Sequence, residues 1–269
     1  MKWRFIEHFG YPGSFHMAVD ETLLSTVGNG DSPPTLRAYT WRPRAVSLGR
    51  SQRRDIKLDE RRCLSEGVDV VVRPSGGRAV LHGDDLTYAA VFPADGILGA
   101  GGIAATYKRL AAVLIRALAV LGIRADLARS RGAGGAAVSL PCFTAPARDE
   151  ILVDGRKLIG SAQRRTRSAV LQHGSILVRG DQTDMANLLA EEGAASALRR
   201  SLTGRTVTLE EILGRTVDFG EVAVALKEAA EDIFETKVAA GELSPEELAG
   251  LRMRSAPLMP KTLGGRPGP

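Results

Sequence analysis

The stretch EILVDGRKLIGSAQ, residues 150–163, contains the clearest fold signal in this sequence. Residues 150–153 and 157–159 are two short apolar runs, and Asp154 and Gly155 stand between them. An Asp-Gly pair between such runs is the strongest short-range signal for a β-hairpin. We therefore predict a pair of antiparallel strands here, with a lysine at the start of the second strand.

Outward from this hairpin, strand patterns come early in the chain and helical patterns come late. Alternating or β-branched apolar runs predict strands, and apolar residues at helical spacing predict helices. The predicted strands are 35–39, 45–48, 68–72 (a buried run), 79–81, 87–92 and 169–178, which His173 and Gly174 interrupt. The predicted helices are 14–27 with Ser14 as N-cap, 57–66, 103–121, 181–190, 208–213, 219–236 and one opened by a capping box at Ser244.

This order of elements indicates an α+β fold, in which helices flank a mixed or antiparallel sheet and a helical C-terminal portion follows. The length of 269 residues suits one large domain. We expect a single domain over 1–255, with a core at 1–180 and the helical portion at 181–255. We expect the tail, 256–269, to be disordered.

Composition and charge exclude several classes of protein. Lysine and arginine number 36 against 31 acidic residues, which gives a net charge of +5. The basic residues are spread out and aromatic residues are only 5%, so we expect no nucleic-acid partner. The most apolar stretch, 110–123, is interrupted by Arg116 and is too short to span a bilayer. With no secretory signal at the start, we expect a cytoplasmic protein that does not bind membranes.

The cysteines and histidines point to neither a disulfide scaffold nor a metal site. Two cysteines are too few for a four-cysteine zinc site. Cys63 lies in a polar helical pattern and is predicted to be a structural thiol. Cys142 lies on a loop upstream of a basic residue, where it could act as a covalent nucleophile, although a structural role stays open. We expect no metal, because no pair at metal-ligand spacing occurs among His8, His16, His82 and His173.

The first candidate site is the block RPSGGRAVLH, residues 73–82. A Gly-Gly pair between two apolar strands lets the backbone approach a ligand closely and offers amides to an oxygen atom. Arg73 and Arg78 flank the pair. The block matches neither a P-loop nor a dinucleotide fingerprint. An ordinary glycine turn is the alternative.

The second and third candidates lie on the hairpin and on the strand after it. Lys157 precedes Gly160, Ser161 and Ala162, which are too small to fill a core by themselves. The lysine could therefore be a fixed cation at a reacting carbonyl, although a solvated surface lysine is the alternative. The segment QHGSIL, residues 172–177, places polar groups within an apolar strand, and a structural histidine is its alternative reading.

Together these segments resemble the lipoate–protein ligase and octanoyltransferase family, which is related to the biotin protein ligases. The resemblance covers about residues 1–255, and its parts stand in the family's order. These parts are Asp20-Glu21, Leu36-Arg37 to Trp41, Ser47-Leu48-Gly49, block 73–82, Lys157 with 160–163, and His173-Gly174-Ser175.

Within this family the chain is most similar to the cysteine-dependent octanoyl-carrier-protein:protein octanoyltransferases. Pro141-Cys142-Phe143 precedes the lysine hairpin, where that branch has its nucleophile. The segment SLGRSQ, residues 47–52, lacks the asparagine that the ATP-using ligases usually show. Gly83 stands where relatives often have an aspartate, a role that would fall to Asp84 or Asp85.

The resemblance implies an acyl transfer that needs no cofactor. Cys142 would take an octanoyl group from the thioester of acyl carrier protein. A lysine of a lipoyl domain, or of the glycine-cleavage H protein, would then receive the group as an amide. Lys157 would polarise the acyl carbonyl. The enzyme is expected to be a monomer whose basic surface attracts acidic carrier domains.

The resemblance also implies which residues hold the substrate. Backbone amides near the two glycine-containing segments would bind the carbonyl, and small side chains would leave an apolar slot for the chain. The implied substrate-binding residues are Arg73, Ser75, Gly76, Gly77, Arg78, Ala79, His82, Gly160, Ser161, Ala162, Gln163, His173 and Gly174.

Three other functions stay open from the sequence. An ATP-dependent lipoate or octanoate ligase would use ATP and Mg²⁺, would hold an acyl-adenylate near Arg73 and Lys157, and would not need Cys142. An amidotransferase would move octanoyl between two lipoyl-accepting proteins by the same thiol chemistry. A catalytically silent member would only bind acyl chains or carrier domains.

Overall fold

The computed structural model of the protein describes residues 2–52, 57–128 and 150–254. Within these residues a large mixed sheet has the strand order β11-β1-β2-β6-β10-β9-β8-β7. Its strands are β1 (Trp3–Tyr11), β2 (Thr35–Trp41), β6 (Asp85–Pro93), β7 (Asp126–Leu127), β8 (Ile151–Val153), β9 (Arg156–Arg165), β10 (Ala169–Leu177) and β11 (Val238–Ala240). The sheet is mixed because β1 runs parallel to β2 and β11, whereas the pairs from β2 through β6, β10, β9 and β8 to β7 are antiparallel.

A smaller sheet lies beside it with the order β4-β3-β5. Its strands are β3 (Ala45–Leu48), β4 (Asp69–Val72) and β5 (Val80–His82). Strand β3 is central, parallel to β4 and antiparallel to β5. The Gly-Gly block therefore connects two strands of this small sheet.

The helices pack on both faces of the large sheet. They are α1 (Gly13–Asn29), α2 (Glu60–Ser65), α3 (Gly102–Val120), α4 (Glu192–Leu202), α5 (Leu209–Leu213), α6 (Phe219–Phe234) and α7 (Pro245–Arg254), with a 3₁₀ helix at Gln182–Leu188. Helix α3 packs against α6, and α1 packs against α7 and against β6 and β10. The apolar face of α1 defines one buried cluster, and α3, α6 and the opposite sheet face share the other.

The hairpin predicted from the Asp-Gly pair is confirmed. Both turn residues have positive φ, 49° at Asp154 and 74° at Gly155. This is the conformation that a two-residue hairpin turn needs and that Asp and Gly tolerate. Strands β8 and β9 pair on either side of the turn, and β9 continues to Arg165 beside β10.

The α+β class, the mixed sheet and its flanking helices are confirmed, and so is the capping box before α7. There the Ser244 hydroxyl accepts from the Glu247 amide at 3.2 Å, and the Glu247 carboxylate accepts from the Ser244 amide at 2.7 Å. The C-terminal part of the chain also adds strand β11 to the edge of the large sheet beside β1.

Three local predictions are wrong. Helix α1 begins at Gly13 after Pro12, not behind Ser14. Residues 68–72 do not form a buried strand, because β4 is the edge of the small sheet and Val70 is 45% exposed. The polar residues within β10 do not interrupt it, since the whole strand is regular and buried. The segment 181–190 is helical as predicted, with a 3₁₀ helix at Gln182–Leu188.

Candidate active site

A largely apolar pocket opens where the small sheet meets strands β9 and β10. It encloses about 430 Å³, counting the space at its mouth. Its wall consists of Met17, Tyr39, Trp41, Ser47, Arg73, Val80, His82, Thr87, Gly160, Ser161, Ala162, His173, Gly174 and Ser175.

The absence of side chains at two glycines brings β9 and β10 close together at this wall. A β-carbon on Gly174 would lie 2.5 Å from the Gly160 carbonyl oxygen and 2.7 Å from Cε1 of Tyr88. Such distances are shorter than packed carbon atoms allow, so glycine is required here. The sequence predicts that small residues on β9 and β10 leave an open space, and the pocket wall contains these residues.

Arg73 lies under the Gly-Gly block and holds it in place. Its guanidinium donates to the Ser47 carbonyl at 2.9 Å, to the Gly76 carbonyl at 2.9 Å and to the Arg78 carbonyl at 2.6 Å. The side chain is almost fully buried. Because these acceptors belong to β3 and to the block itself, Arg73 shapes the loop as well as lining the pocket.

The block also packs against the turn after β3. A β-carbon on Gly49 would lie 1.9 Å from the Gly77 carbonyl oxygen. Gly77 itself has φ +90°, a conformation that favours glycine. The amide of Arg50 donates to the Ser75 carbonyl at 3.0 Å, which fastens the two segments to each other.

His82 is the centre of one buried hydrogen-bond chain. Its Nδ1 lies 2.9 Å from the Asp85 carboxylate and its Nε2 lies 2.8 Å from the Ser47 hydroxyl. Since a carboxylate only accepts, the tautomer with its proton on Nδ1 donates to Asp85 and accepts from Ser47 at Nε2. The ring stacks on Trp41 with centroids 4.0 Å apart.

His173 is the centre of a second chain across the pocket. Its Nδ1 lies 2.8 Å from the Asp20 carboxylate and its Nε2 lies 2.6 Å from the Ser75 hydroxyl. Asp20 also pairs with the buried guanidinium of Arg37 and accepts from the Tyr39 hydroxyl at 3.2 Å. The two histidines are therefore held in the same way, but only Asp20 has an arginine as a described partner.

The electrostatics of the two carboxylates follow from these contacts. Burial alone would raise the pKa of Asp85, but His82 and the hydroxyl of Ser175 hold it below its ordinary value. Burial would likewise raise the pKa of Asp20, and the Arg37 charge, followed by the His173 hydrogen bond, lowers it. Both carboxylates are therefore ionised at neutral pH, and each fixes the orientation of its histidine.

The Lys157 ammonium pairs with the Glu150 carboxylate, and both side chains are buried. The lysine is therefore not the solvated surface residue of the alternative reading. It lies on β9 three residues before Gly160, and the wall described above does not include it. The pairing with Glu150 fixes the position of the ammonium.

Only some of the predicted binding residues are part of the pocket wall. Ser161 contacts the Tyr88 hydroxyl at 2.8 Å, and Gln163 donates to Gln172 at 3.0 Å. Ala79 is buried in the larger apolar cluster. Within the described residues, the wall includes Arg73, His82, Gly160, Ser161, Ala162, His173 and Gly174, but not Ser75, Gly76, Gly77, Arg78, Ala79 or Gln163.

The two cysteines have separate outcomes. Cys142 lies outside the described residues, so its predicted role as nucleophile stays a prediction. Cys63 is buried on α2 with 3% exposure, which agrees with a structural thiol. Burial, followed by the nearby charges of Asp59 and Glu66, raises its pKa and so disfavours the reactive thiolate.

Sequence reasoning named Asp20 and Asp85 only through the family resemblance and did not predict that they are the buried partners of His173 and His82. Asp85 follows His82 at a spacing of three, and Asp20 lies within the apolar pattern of α1. A charged residue at a core position is itself a signal, because burying a charge is costly unless it has partners. Glu150 gave no such signal, since it opens an apolar run.

The described residues contain neither a metal-ligand cluster nor a helix that could span a membrane. No group of three or more histidine, cysteine or acidic side chains has an arrangement suited to a metal ion in the described part of the chain. Across the same residues, no helix has the length and apolar character needed to cross a membrane.

The fold and site belong to a known class of enzyme catalytic domain. Residues 12–231 match the family profile of the lipoyl protein ligase A/B catalytic domain, and the chain belongs to this family. It is 35% identical to the octanoyltransferase LipM of Kyrpidia tusciae over 251 residues, which cover 91% of this chain and 92% of that one. It is 36% identical to the octanoyltransferase LipM of Moorella thermoacetica, with 93% of each chain covered.

Solved structures support the same fold. A crystal structure of lipoate-protein ligase A bound with ATP superposes with a TM-score of 0.75 at 22% identity and covers 94% of both chains. The lipoate protein ligase of Thermoplasma acidophilum, studied with its E2 lipoyl domain, gives a TM-score of 0.76 at 20% identity. It covers 94% of this chain and 91% of that one.

Proposed function

We propose that this protein is an octanoyltransferase of protein lipoylation. It would move an octanoyl group from acyl carrier protein, through a thioester on Cys142, to a lysine of a lipoyl domain or of the glycine-cleavage H protein. The observation that carries the proposal is the similarity of 31–36% identity to curated LipM octanoyltransferases, in several cases over more than 90% of both chains.

The pocket supports an apolar acyl substrate. Its wall combines the glycines of β9 and β10 with Met17, Trp41 and Val80, so few groups in it need to stay hydrated. Burying an alkyl chain contributes about 0.8 kcal/mol per methylene. A slot of fixed depth would therefore select a chain length by the number of carbons that it can bury.

The polar groups at the site support stabilisation of a carbonyl oxygen. Lys157 is a buried cation held by Glu150, and buried charges act more strongly than charges in water. In the reaction it would favour the negative charge that develops on the acyl oxygen. This assignment rests on the burial of the Lys157 charge and on its position in β9, which also supplies Gly160, Ser161 and Ala162 to the pocket wall.

The chemistry proposed here needs no cofactor. In the first step the Cys142 sulfur would displace the carrier thiol, which exchanges one thioester for another. In the second step the acceptor amine would displace Cys142 and form an amide. ATP would be needed only if the carboxyl group had to be activated first, as in a ligase.

A transfer assay tests the proposal and separates it from the ligase. Octanoyl-acyl carrier protein, the purified protein and a lipoyl domain are incubated without ATP, and the mass of the lipoyl domain is followed. Octanoylation without ATP that is lost in Cys142→Ala supports the transferase. Modification that requires ATP and free octanoate, and survives Cys142→Ala, contradicts it. The lipoyl domain and the H protein are compared as acceptors in parallel.

A further inference from the structure

The mouth of the pocket lies at β9. The wall residues are buried except for Ser161 and Ala162, which are partly exposed. A carrier protein is far too large to enter such a cavity, so only its acyl chain can pass inward. The donor must therefore rest on the surface around Ser161 and Ala162 while the chain enters the pocket.

Helix α3 borders this mouth and exposes an apolar side chain there. The Tyr107 hydroxyl donates to the Ser161 carbonyl at 3.4 Å. Ile103 lies one helical turn before Tyr107, and residues four apart on a helix share a face. Ile103 is 58% exposed. An apolar group in contact with solvent thus lies one helical turn from a residue that touches the mouth.

The loop that leads into α3, residues 94–101, exposes a second isoleucine, because Ile97 is 88% exposed. The loop is nevertheless held in place. Arg165 donates to two of its carbonyls at 2.8 and 2.9 Å, and Arg109 donates to a third at 3.0 Å. Arg165 follows Ala162 by three residues on β9, which is about 10 Å along a strand. The exposed isoleucine therefore belongs to a fixed loop near the mouth.

The charge of this surface is positive. The guanidinium groups of Arg109 and Arg165 bond to neutral carbonyls, so these contacts do not balance their charge. Lys108 on α3 and Arg167 in the turn after β9 are exposed. Asp95 is the one acidic residue in the sequence of the loop. The electrostatic field on this side of the molecule therefore favours an acidic partner.

Resting on the proposed function, we propose that Ile97, Ile103, Lys108, Arg165 and Arg167 form the docking surface for the acidic carrier protein that donates the octanoyl group. These five residues are called the carrier surface below. The basic groups would speed the encounter, and the two isoleucines would supply the apolar contact. Single exposed apolar residues are ordinary, but here two of them share one basic surface beside the mouth.

The donor fits this surface better than the acceptor does. A donor has to pass its octanoyl chain through the mouth, so it must be held beside Ser161 and Ala162 until the chain is inside. The acceptor lysine only has to reach the acyl carbon once the chain is bound. The carrier surface is therefore assigned to the first step of the reaction.

A pair of opposite charges at one exposed position tests the carrier surface. Ile97→Glu and Ile97→Lys both remove the apolar group, and neither changes the core because the position is exposed to solvent. With octanoyl-acyl carrier protein at low salt, Ile97→Glu should lower kcat/KM at least about fivefold, the loss typical of an interface anchor. Ile97→Lys should lower kcat/KM less, and high salt should bring the values of the two variants together.

Two controls isolate the contact with the donor. Leu64→Glu and Leu64→Lys change a similarly exposed position on α2 and should keep the wild-type kcat/KM. A small neutral octanoyl thioester should react equally with the wild type and with both Ile97 variants. A wild-type kcat/KM of Ile97→Glu with the carrier protein would overturn the carrier surface.

Two further outcomes would assign the surface to another partner and so overturn the proposal. In one, the octanoyl-enzyme of Ile97→Glu transfers to a lipoyl domain more slowly, while its reaction with the carrier protein is normal. In the other, the wild type sediments with anionic phospholipid vesicles and Ile97→Glu does not, while the carrier reaction is again normal. We expect neither.

A binding measurement separates the carrier surface from the chemistry. Fluorescence anisotropy of a labelled carrier protein gives its Kd for the wild type and for Ile97→Glu without any transfer. Binding should be at least about fivefold weaker for Ile97→Glu. Equal Kd values, or no binding by either protein, would overturn the carrier surface. A wild type that binds the carrier protein through Ile97 but forms no octanoyl thioester would contradict the proposed function alone.

Discussion

The buried ammonium of Lys157 on β9 pairs with the carboxylate of Glu150, the residue immediately before β8 in the β8–β9 hairpin. Both side chains are nearly inaccessible to solvent. Burial of a charge is tolerated when an opposite charge neutralises it, so each residue fixes the other. The cation lies on β9, the strand that also contributes Gly160, Ser161 and Ala162 to the pocket wall, and the hairpin is the one that the Asp-Gly pair in the sequence predicts.

Removing the lysine should affect stability and activity together. Lys157→Ala leaves Glu150 buried without its cation and should lower the free energy of unfolding by about 3–5 kcal/mol. Urea denaturation measures this loss. The double variant Lys157→Met with Glu150→Leu should recover most of the stability but no transfer activity. Recovery of activity in the double variant would show that the cation has no chemical role.

The contact between the two glycine turns should tolerate no side chain. Gly49→Ala would place a β-carbon against the Gly77 carbonyl and should destabilise the protein by about 1–3 kcal/mol, the range for overpacking. Transfer should fall as well, because the block above Arg73 must move. Gly193→Ala is the matched control, since open space surrounds Gly193 on α4, and it should change stability by less than about 0.5 kcal/mol. Equal effects of the two changes would contradict the close contact.

Acyl-chain selection should depend on the wall formed by β9. Ala162→Val narrows the pocket and should lower the ratio of octanoyl to hexanoyl transfer at least about fourfold, which corresponds to one methylene that can no longer be buried. Competition between the two acyl donors measures this ratio. Ala104→Val, at an exposed position on α3, should leave the ratio unchanged. An unchanged ratio in Ala162→Val would place the acyl chain elsewhere.

Acid should destabilise the protein through buried neutral histidines. Burial, followed by the Arg37 charge, lowers the pKa of His16 to about 3. Below pH 6.5 the unfolded chain gains a proton that folded His16 does not take up until about pH 3, so stability decreases as the pH falls through this window. The free energy of unfolding should change by up to about 1.4 kcal/mol per pH unit in this range.

Urea denaturation at several pH values measures this slope, and His16→Gln should reduce it. The His8 pKa is lowered from 6.5 to about 4 by the same two causes. His8→Gln should therefore reduce the pH dependence of stability over the narrower range between these two values. Identical slopes in the wild type and in His16→Gln would show that His16 is protonated in the folded protein.

Attraction between the net charge of +5 and an acidic carrier protein should make transfer sensitive to salt. The rate with octanoyl-acyl carrier protein should fall as ionic strength rises, because salt screens exposed charges. A small neutral octanoyl thioester is the matched control and should react at a salt-independent rate. If the transfer rates with both donors changed equally with ionic strength, charge attraction would not contribute to the reaction with the carrier protein.

The sequence predicts local elements well and long-range contacts poorly. The Asp154-Gly155 turn and the capping box at Ser244 are confirmed, because such signals depend on a few adjacent residues. Strand β1 was not predicted, since its burial depends on β2 on one side and on β11 on the other, more than 200 residues later in the chain. The edge position of β4 depends in the same way on how the small sheet assembles.

In the site, too, local features could be predicted from the sequence and long-range contacts could not. Small residues on β9 predict a space, and the pocket wall contains them. The partners of His82 and His173 could not be identified from spacing alone, because Asp20 and His173 are 153 residues apart in the sequence. The hydrogen-bond chain from Ser47 through His82 likewise joins strands β3 and β5 of the small sheet to Asp85 of the large one. These contacts depend on the packing of whole sheets, which local pattern does not encode.

The mass of the intact protein after incubation with octanoyl-acyl carrier protein, without ATP, tests the central claim most directly. We predict an increase of one octanoyl group that hydroxylamine removes, that Cys142→Ala abolishes and that Cys63→Ala retains. The same octanoyl group should then appear on an added lipoyl domain. A protein that gains no mass without ATP, or that gains it equally in Cys142→Ala, would contradict the account.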